Sequence, residues 1–556
     1  MTPYFGTREP LPPTRTLRAG RLTMLYERGN LRYIRFGNHE ILRMIYAAVR
    51  DRNWLTAPYQ LENETIDERP DGFRITYTAV YRLEDIHFRA DLTLEGSPDG
   101  TISVAFEGRA LSTFWRNRIG LCVHHPLREC IGKPVEVTQP DGIMYGGAFP
   151  ARISPHQPFR NIQEMGWQPL DGLTVTLRFA GDVFETEDQR NWSDASYKTY
   201  STPLERPFPV QLLAGDTVQQ HLTLQTTFPD HVRATEPVAS PPPGERQFPR
   251  LGFGRNAAQP LNRTALKALR RLRPDHYRVE LELETDWRPR FRAALLEAQA
   301  LETKLEIAAY FSENWRTEAL DLLDVLSPVG SLLHSLLPLR HGEPVVPPLL
   351  HRFVYSETRA LLPDLLIGYG TDGFFAELNR HRPSGVLFDF LAFSLNPQVH
   401  ASDTRTLIEN IQAQRDTVRT ARTFSRGKPV HVTPVTLKPR YFPPQPPGEP
   451  PRNIDPRQTT ELAAAFTLLS LAYLSEADQV TYYEATGPRG LMQEDGQTRY
   501  PVYEALRQLM DFRPVTVLHP EAENPLQTDG FAVENGQGKR LNVRIDWEKG
   551  SLHLSA

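Results

Sequence analysis

The chain has 556 residues, of which 40% are hydrophobic and 23% are charged, and its formal net charge is −4. This length is too great for a single hydrophobic core, so two or three domains are expected. The weak net charge gives no electrostatic case for nucleic-acid binding, and no apolar run approaches the ~18 residues of a membrane span. Only Cys122 and Cys130 occur, which is typical of a reducing compartment. Because the N-terminus has no apolar core to serve as a signal peptide, we expect a cytoplasmic protein.

Residues 1–240 are predicted to form an antiparallel β-sandwich. Several runs alternate apolar and polar residues, with Asp-Gly or Gly turns between them. These runs are 72–83, 86–96, 100–111, 172–181 and 219–228. Helical periodicity is nearly absent, so two sheets packed face to face are favoured.

A first segment that breaks this pattern, 116–130, places His124, His125 and Glu129 close together. The spacing matches neither H-x-x-H nor H-E-x-x-H, which are the arrangements that present two histidines to zinc. We therefore expect no metal, and no other cofactor is indicated.

A second segment, 185–204, is polar and aromatic and cannot fill a dry core unless its charges are paired. One interpretation is a solvated loop with internal ion pairs. The other is a sugar-binding surface in which Trp192 stacks on a ring while Asp194 and Lys198 bond hydroxyl groups.

Residues 236–248 contain a Pro-Pro-Pro run that should join neither sheet nor helix, so we expect an inter-domain linker there. Residues 249–512 then repeat strand and helix, the pattern of a (β/α)8 barrel of the TIM type. The predicted strands begin at 251, 277, 304, 349, 365, 385, 429 and 479. The predicted helices cover 261–273, 291–301, 317–337, 404–424 and 459–476. Residues 513–556 return to strands and predict a short C-terminal β-module, so the fold class is multidomain α+β.

The last predicted strand, within 479–490, ends on an acid and then turns at Thr-Gly-Pro. Chemistry in such barrels lies where strands end. With strict alternation, Val480, Tyr482 and Glu484 share one face. Glu484 is therefore the main candidate for a catalytic group, and Arg489 follows it as a carboxylate ligand or a brace for the loop.

The second predicted strand carries Arg278, Glu280 and Glu282 on one face and apolar residues on the other. The apolar face should meet the helices, so the charged face points into the barrel, where it must be paired. Either these residues form a supporting network, or the two glutamates reach a substrate.

Other strand ends supply further candidates. Asp372 follows strand five and is either catalytic or a helix cap. His400 follows strand six and has a pKa range suited to proton transfer. The candidates for substrate binding are Tyr355, Asn396, Gln398 and Lys438. Lys438 alternatively is a solvent-facing rim charge.

The chain resembles the D-apionate lactonase family of bacterial apiose catabolism. The phrases that carry the resemblance are DRNW (51–54), RIGLCVHHP (118–126), ISPHQPF (153–159), EDQRNWSDASYKTY (187–200), FSLNPQVHASD (393–403), PVTLKPR (434–440) and YYEATGPRG (482–490). They span nearly the whole chain. The resemblance implies an intracellular hydrolase that opens a five-membered sugar lactone, built from a β-sandwich and a glycosidase-like barrel.

Lactone opening needs a base for water, a donor for the oxyanion and an acid for the leaving oxygen. We assign Glu484 as the base, assisted by Asp372 or His400, with Lys438 or Asn396 at the oxyanion. The chain has no G-x-S-x-G elbow, which disfavours a serine acyl-enzyme. One alternative is a glycosidase that pairs Glu484 with Glu357, Asp372 or Glu282. The other is a non-catalytic carbohydrate-binding protein. The expected partner is a small sugar lactone, without nucleic acid or membrane, and self-association is left open.

Overall fold

The computed structural model describes residues 4–8, 10–228, 244–256, 259–441, 448, 451–519 and 522–556. The chain divides into two units. One contains the described parts of 12–189 and 195–228, and the other contains residues 4–8, 10–11 and 190–194 and the described chain from 244 onward. Residues 236–243 of the expected linker, 236–248, lie outside the described residues.

The first unit consists of two antiparallel sheets, and each has nine strands among the described residues. One sheet contains β1 (Arg15–Ala19), β2 (Leu22–Glu27), β3 (Asn30–Phe36), β4 (His39–Asp51), β9 (Phe114–Pro126), β12 (Phe159–Ile162), β15 (Phe184–Asp188), β16 (Ser196–Tyr200) and β17 (Val210–Leu212). The other contains β5 (Tyr59–Arg69), β6 (Gly72–Leu83), β7 (Ile86–Gly96), β8 (Ile102–Ala110), β10 (Pro134–Thr138), β11 (Met144–Ala148), β13 (Glu164–Leu170), β14 (Leu173–Ala180) and β18 (Thr217–Thr227). A single helical turn, α1 (Leu127–Cys130), follows β9.

Alternation of side chains explains these sheets. In β7, Ile86, Phe88 and Leu92 are buried while Arg89 and Asp91 are exposed. One face of the strand therefore contributes to the core and the other meets water, as expected for an antiparallel sheet. The predicted antiparallel domain is confirmed, and both cysteines in it are buried and free.

The second unit is built around a closed barrel of parallel strands. These are β20 (Arg250–Gly254), β21 (His276–Glu282), β22 (Lys304–Tyr310), β23 (Leu333–Leu339), β24 (Leu366–Gly370), β25 (Phe390–Leu395), β26 (Val430–Val435) and β27 (Gln479–Glu484). The helices are α2 (Arg263–Arg271), α3 (Arg288–Ala300), α4 (Trp315–Leu326), α5 (Pro348–Leu361), α6 (Phe375–Arg380), α7 (Thr404–Asn410), α8 (Gln414–Arg422), α9 (Glu461–Tyr473) and α10 (Pro501–Asp511). The predicted TIM-type barrel is confirmed.

The prediction of the fourth strand is wrong. The segment 349–357, predicted as a strand, lies in helix α5. The fourth strand is β23, part of which lies within the predicted helix 317–337. Leucine, which fills β23, is a strong helix former, whereas Phe353, Val354 and Tyr355 of α5 favour strands. Burial within the closed barrel outweighs both local preferences.

A small sheet completes the second unit. It contains β28 (Pro514–His519), β29 (Thr528–Asn535), β30 (Arg540–Asp546) and β31 (Ser551–Ser555), which confirms the predicted C-terminal β-module. Its fifth strand is β19 (Gly244–Gln247), which pairs with β28. The expectation that 236–248 joins no sheet is therefore wrong for its final residues, because the chain beyond the prolines again has free backbone N–H groups to pair.

Candidate active site

A cavity of about 240 Å³ opens at the carboxyl ends of the barrel strands. The strand residues that line it are Gly254, Arg278, Glu280, Glu282, Tyr310, Pro434, Tyr483 and Glu484. They come from β20, β21, β22, β26 and β27, so one concave surface collects residues far apart in sequence. This is the end of the barrel at which enzymes of this fold carry out chemistry.

Glu484 reaches this cavity because of an irregularity in β27. Thr481 faces the barrel interior, where its hydroxyl lies 2.7 Å from Nε2 of His276. Tyr482 faces the helices, and its hydroxyl donates to Ser470 of α9 at 2.7 Å. Strict alternation would turn Glu484 toward the helices as well. The prediction that Tyr482 and Glu484 share a face is therefore wrong.

Tyr483 supplies the extra residue that redirects the chain. Its φ is 47°, and the pairing with β20 skips it, since Phe253 opposes Tyr482 while Gly254 opposes Glu484. Such a bulge re-aims the side chain that follows it. A Cβ on Gly254 would lie 2.6 Å from the carbonyl oxygen of Tyr483, so only glycine fits beside the bulge.

The carboxyl group of Glu484 is largely buried, and burial raises its pKa. Arg489 opposes this effect, since its Nη2 lies 2.5 Å from Oε1 of Glu484. The result is a carboxylate that holds a proton more readily than a solvated one. A raised pKa suits a group that must accept and return a proton near neutral pH.

A second acid, Asp372, is fixed by several donors. Tyr310 and Tyr441 both donate hydroxyl hydrogen bonds to its Oδ2, the latter at 2.6 Å. Nη1 of Arg440 donates to the same oxygen at 2.5 Å, and its other terminal nitrogen pairs with Glu280. Asp372 therefore orders the residues that line the cavity. The prediction that Asp372 is catalytic is untested. Its Oδ2 already accepts three hydrogen bonds, which favours a positioning role.

Both acids of this network stay ionised. Burial alone would raise the pKa of Asp372 and of Glu280, but Arg440 holds each below its usual range. Arg278 adds to this effect on Glu280, with Nη2 at 3.2 Å from Oε1. A strongly ionised carboxylate is a weak base, which distinguishes both from Glu484.

The barrel interior below the cavity is also charged. Arg278 and Glu306 are each 1% exposed, and Nη1 of Arg278 lies 3.2 Å from Oε1 of Glu306. Thr433 donates to the same oxygen at 2.6 Å and Gln479 donates to Oε2 at 2.5 Å. Arg278 therefore connects this supporting network to Glu280 at the cavity. The charged face of β21 thus combines the two interpretations, a supporting network in the barrel interior and glutamates that face the cavity.

Four of the predicted binding residues line the cavity, namely Glu280, Glu282, Lys438 and Arg489. Lys438 is half-buried there, and the ammonium group has no hydrogen-bond partner or ion pair within the described part of the chain. Glu282 lies near the rim, 2.8 Å from Nε2 of His341. Arg489 lines the cavity next to Glu484.

Gln398 and Asn396 are buried in the loop after β25 but do not line the cavity. The amide of Gln398 donates to Asp455 at 2.7 Å, and Asp455 does line it. The side-chain oxygen of Asn396 accepts from the backbone of Gln398 at 3.1 Å. Both residues therefore form hydrogen bonds that order the loop after β25. Asn396 does not lie in the cavity, where an oxyanion would form.

His400, Trp192 and Asp194 form a separate cluster within the same unit. Nδ1 of His400 lies 2.5 Å from Oδ2 of Asp194, and Asn410 donates to the other carboxylate oxygen at 2.7 Å. The rings of Trp192 and His400 are 6.1 Å apart. None of the three lines the cavity, so the structure does not bring His400 together with Glu484.

Lys198 and Tyr355 lie in other elements. Lys198 is buried on β16, where it pairs with Glu187 at 2.5 Å, so its segment is an ordered strand rather than a solvated loop. Tyr355 lies on α5 and is not at a strand end, because 349–357 is helical. Glu357 lies on the same helix, which separates it from the cavity residues.

Sequence reasoning missed the role of Arg440 and of the two tyrosines that bind Asp372. Arg440 lies within the quoted phrase PVTLKPR, beyond the end of β26, and a basic residue just past a strand end was the available signal. For Tyr310, the signal was a hydroxyl-bearing side chain at the last residue of β22.

Across the described residues no group of three or more His, Cys, Asp or Glu side chains is arranged to hold a metal ion. The ring of His125 instead meets Thr199 at 2.8 Å, and His124 meets Tyr46 at 3.1 Å. None of the helices in the described ranges has the length and apolar character needed to cross a membrane.

The closed barrel and its cavity of paired acids and cations define a barrel enzyme. Two family models match the chain, the N-terminal domain of D-apionate lactonase over residues 2–229 and its TIM barrel domain over residues 252–514. The chain therefore belongs to the D-apionate lactonase family, and it is a hydrolase of the lactonase class.

Known proteins similar to this chain include a D-apionate lactonase of Brucella anthropi. The two are 29% identical over 526 residues, which cover 89% of this chain and 86% of the relative. Among solved structures, an α-L-arabinofuranosidase from Thermotoga maritima aligns with a TM-score of 0.41 and 11% identity, covering 56% of this chain and 83% of that one. A family 51 α-L-arabinofuranosidase from Bifidobacterium longum aligns with a TM-score of 0.39 and 12% identity, with the same two coverages.

Proposed function

We propose that the protein hydrolyses a sugar-acid lactone, D-apionolactone to D-apionate, in pentose catabolism, with Glu484 as the general base. The observation that carries this proposal is a carboxyl group of raised pKa facing a cavity that also contains the ammonium of Lys438, which has no partner among the described residues. The name of the Brucella anthropi relative supports the choice of substrate.

In the proposed step, Glu484 takes a proton from water while the water oxygen adds to the lactone carbonyl carbon. The negative charge that develops on the carbonyl oxygen is stabilised by Lys438. The bond from this carbon to the ring oxygen then breaks, and the leaving oxygen receives the proton held by Glu484. The hydroxy acid formed ionises at neutral pH, and Glu484 returns to its starting state.

The remaining charged groups position this pair. Arg489 limits how far the pKa of Glu484 rises, so that the group is available as a base. Arg440 holds Asp372 and Glu280 in place and keeps the cavity wall rigid. Preorganised groups of this kind reduce the rearrangement required during the reaction.

Glycoside hydrolysis is the second candidate, favoured by two carboxylates, Glu280 and Glu484, that line one cavity. It requires one of the two to act as a proton donor. Glu484, whose pKa is raised, suits the proton donor, and Glu280, which Arg440 and Arg278 hold ionised, suits the other role. The family membership favours lactone opening over glycoside hydrolysis, and an enzyme over a non-catalytic carbohydrate-binding protein.

The proposal is tested by measuring turnover of D-apionolactone, other aldonolactones and nitrophenyl glycosides by the purified protein and by Glu484→Gln. We expect lactone opening by the unchanged protein and a fall in kcat of roughly 10²–10⁴ in the variant, the usual worth of a general base, with little change in melting temperature. Glu302→Gln, at an exposed position, is the control. Normal lactone turnover by folded Glu484→Gln would remove Glu484 from the mechanism, and turnover of glycosides alone would favour the second candidate.

Three expectations stay predictions alongside this proposal. They are the absence of a cofactor, a small sugar lactone as the partner, without nucleic acid or membrane and with self-association possible, and a cytoplasmic location.

A further inference from the structure

The carboxylates that line the cavity are paired with basic side chains of the protein itself. Each one has a basic partner among the described residues, and the pairs are Glu280 with Arg278 and Arg440, Glu282 with His341, Asp455 with Arg457, and Glu484 with Arg489. Among the described residues, the cavity therefore offers no carboxylate without a basic partner to attract a cation.

Two cations that line the same cavity are not neutralised. Within the described ranges neither Arg290 nor Lys438 forms an ion pair or a side-chain hydrogen bond. Nε of Arg290 is buried without a partner, although the residue as a whole is half-buried. A buried polar group without a partner costs free energy, so a ligand that supplies an acceptor is favoured.

We infer that Arg290 and Lys438 bind the carboxylate of the ring-opened hydroxy acid, so that the product competes with the lactone for the cavity. The choice of acid rests on the proposed function. Arg290 lies in the first turn of α3, directly after β21, and Lys438 follows β26, so the two cations reach the cavity from different elements.

The chemistry of ring opening explains why the two cations bind the product more tightly than the substrate. The lactone is neutral, and its carbonyl oxygen becomes one of the two carboxylate oxygens of the product. A cation that stabilises the developing oxyanion therefore meets a full negative charge after the reaction. Hydrogen bonds to an ionised acceptor are roughly twice as strong as those between neutral groups.

The test compares D-erythronate, a hydroxy acid, with erythritol, a neutral polyol of similar size. Binding to the full chain is measured by calorimetry, and inhibition of lactone opening is measured separately. We expect erythronate to bind and to inhibit competitively, and erythritol to do neither. Arg290→Gln and Lys438→Gln should each weaken erythronate binding about tenfold or more, the range for a lost hydrogen bond to a charged group.

Matched controls use cations that lie outside the cavity. Arg292→Gln changes an exposed arginine on the same helix as Arg290, and Lys428→Gln changes an exposed lysine before β26. Both should bind erythronate as the unchanged protein does.

The inference is overturned if erythritol binds as tightly as erythronate, if erythronate does not bind, or if Arg290→Gln and Lys438→Gln both bind it normally. Calorimetry needs no turnover, so the outcomes for the two proposals are separable. Erythronate binding that depends on Arg290, without lactone turnover, would support the inference and overturn the proposed function. Lactone turnover without erythronate binding would overturn the inference alone.

Discussion

Nη2 of Arg489 lies 2.5 Å from Oε1 of Glu484, and both side chains line the cavity at the carboxyl end of the barrel. The two residues belong to one turn. The position of the acid relative to the cation that moderates its pKa is therefore fixed by a few peptide units. Burial raises the pKa of Glu484 and Arg489 opposes that rise.

Removing this cation should shift the pH dependence of turnover. In Arg489→Met the effect of burial on Glu484 is less opposed, so its pKa rises further and the base stays protonated up to a higher pH. The acid limb of the kcat/KM profile should therefore move to higher pH. Arg499→Met is the control, since Arg499 pairs with Glu504 outside the cavity. An acid limb that stays in place or moves to lower pH would contradict the assignment of Glu484 as the base.

Removing only one partner of the ion pair between Arg278 and Glu306 should lower the free energy of unfolding. Both are 1% exposed, so Arg278→Met leaves a buried carboxylate without its cation. We expect a loss of ~3–5 kcal/mol in the free energy of unfolding, measured by urea titration. The double change Arg278→Met with Glu306→Gln removes both charges and should restore most of the loss. If the double variant is no more stable than the single one, the two residues do not act as a pair.

Buried histidines should make stability fall in mild acid. Burial lowers the pKa of His276 to about 4, partly opposed by Glu306, and that of His431 to about 3. In an unfolded chain the value is about 6.5, so the unfolded state binds protons first as the pH falls. The stabilisation is fully present above about pH 6.5 and is lost as the pH falls toward 4, by about 2 kcal/mol per histidine at pH 5.

Urea midpoints at pH 7 and pH 5 measure this loss. His431→Phe keeps a flat ring against Phe390, whose centroid lies 4.1 Å away, but it cannot take up a proton. Its stability should therefore depend less on pH than that of the unchanged protein. His553→Phe, at an exposed position, should behave as the unchanged protein does. Equal pH dependence in His431→Phe and the unchanged protein would refute the assignment.

Turnover should not require a metal ion, because the proposed water-activating group is a carboxylate and the described residues hold no metal-binding group. Activity after treatment with EDTA should equal that of the untreated protein. Complete loss of activity, restored by one divalent ion, would show that a metal takes part.

The sequence predicts the barrel well because its strands are buried on both faces and some of its helices, such as α2, are amphipathic. It fails at β23 and α5, where leucines in the strand and aromatic residues in the helix carry the wrong local preference. The outcome there depends on closure of the barrel, which involves β22 and β24 and is not visible in a local window.

The candidate site was predicted only in part for a similar reason. The sequence marks Glu484, Glu282, Lys438 and Arg489 by their positions near strand ends, and all four line the cavity. It does not show that Asp372 meets Arg440, since 68 residues separate them. It also predicts the face of Glu484 from strict alternation, which Tyr483 interrupts.

The bulge at Tyr483 makes the face of Glu484 a matter of counting residues rather than of side-chain chemistry. Deleting Tyr483 would place Glu484 directly after Tyr482 in a strand of regular alternation, so the carboxylate would still face the barrel interior. A regular strand that kept Tyr483 would instead turn the carboxylate toward α9, on the side that Tyr482 now occupies. The orientation of the proposed base toward the cavity therefore depends on one residue that the pairing with β20 skips.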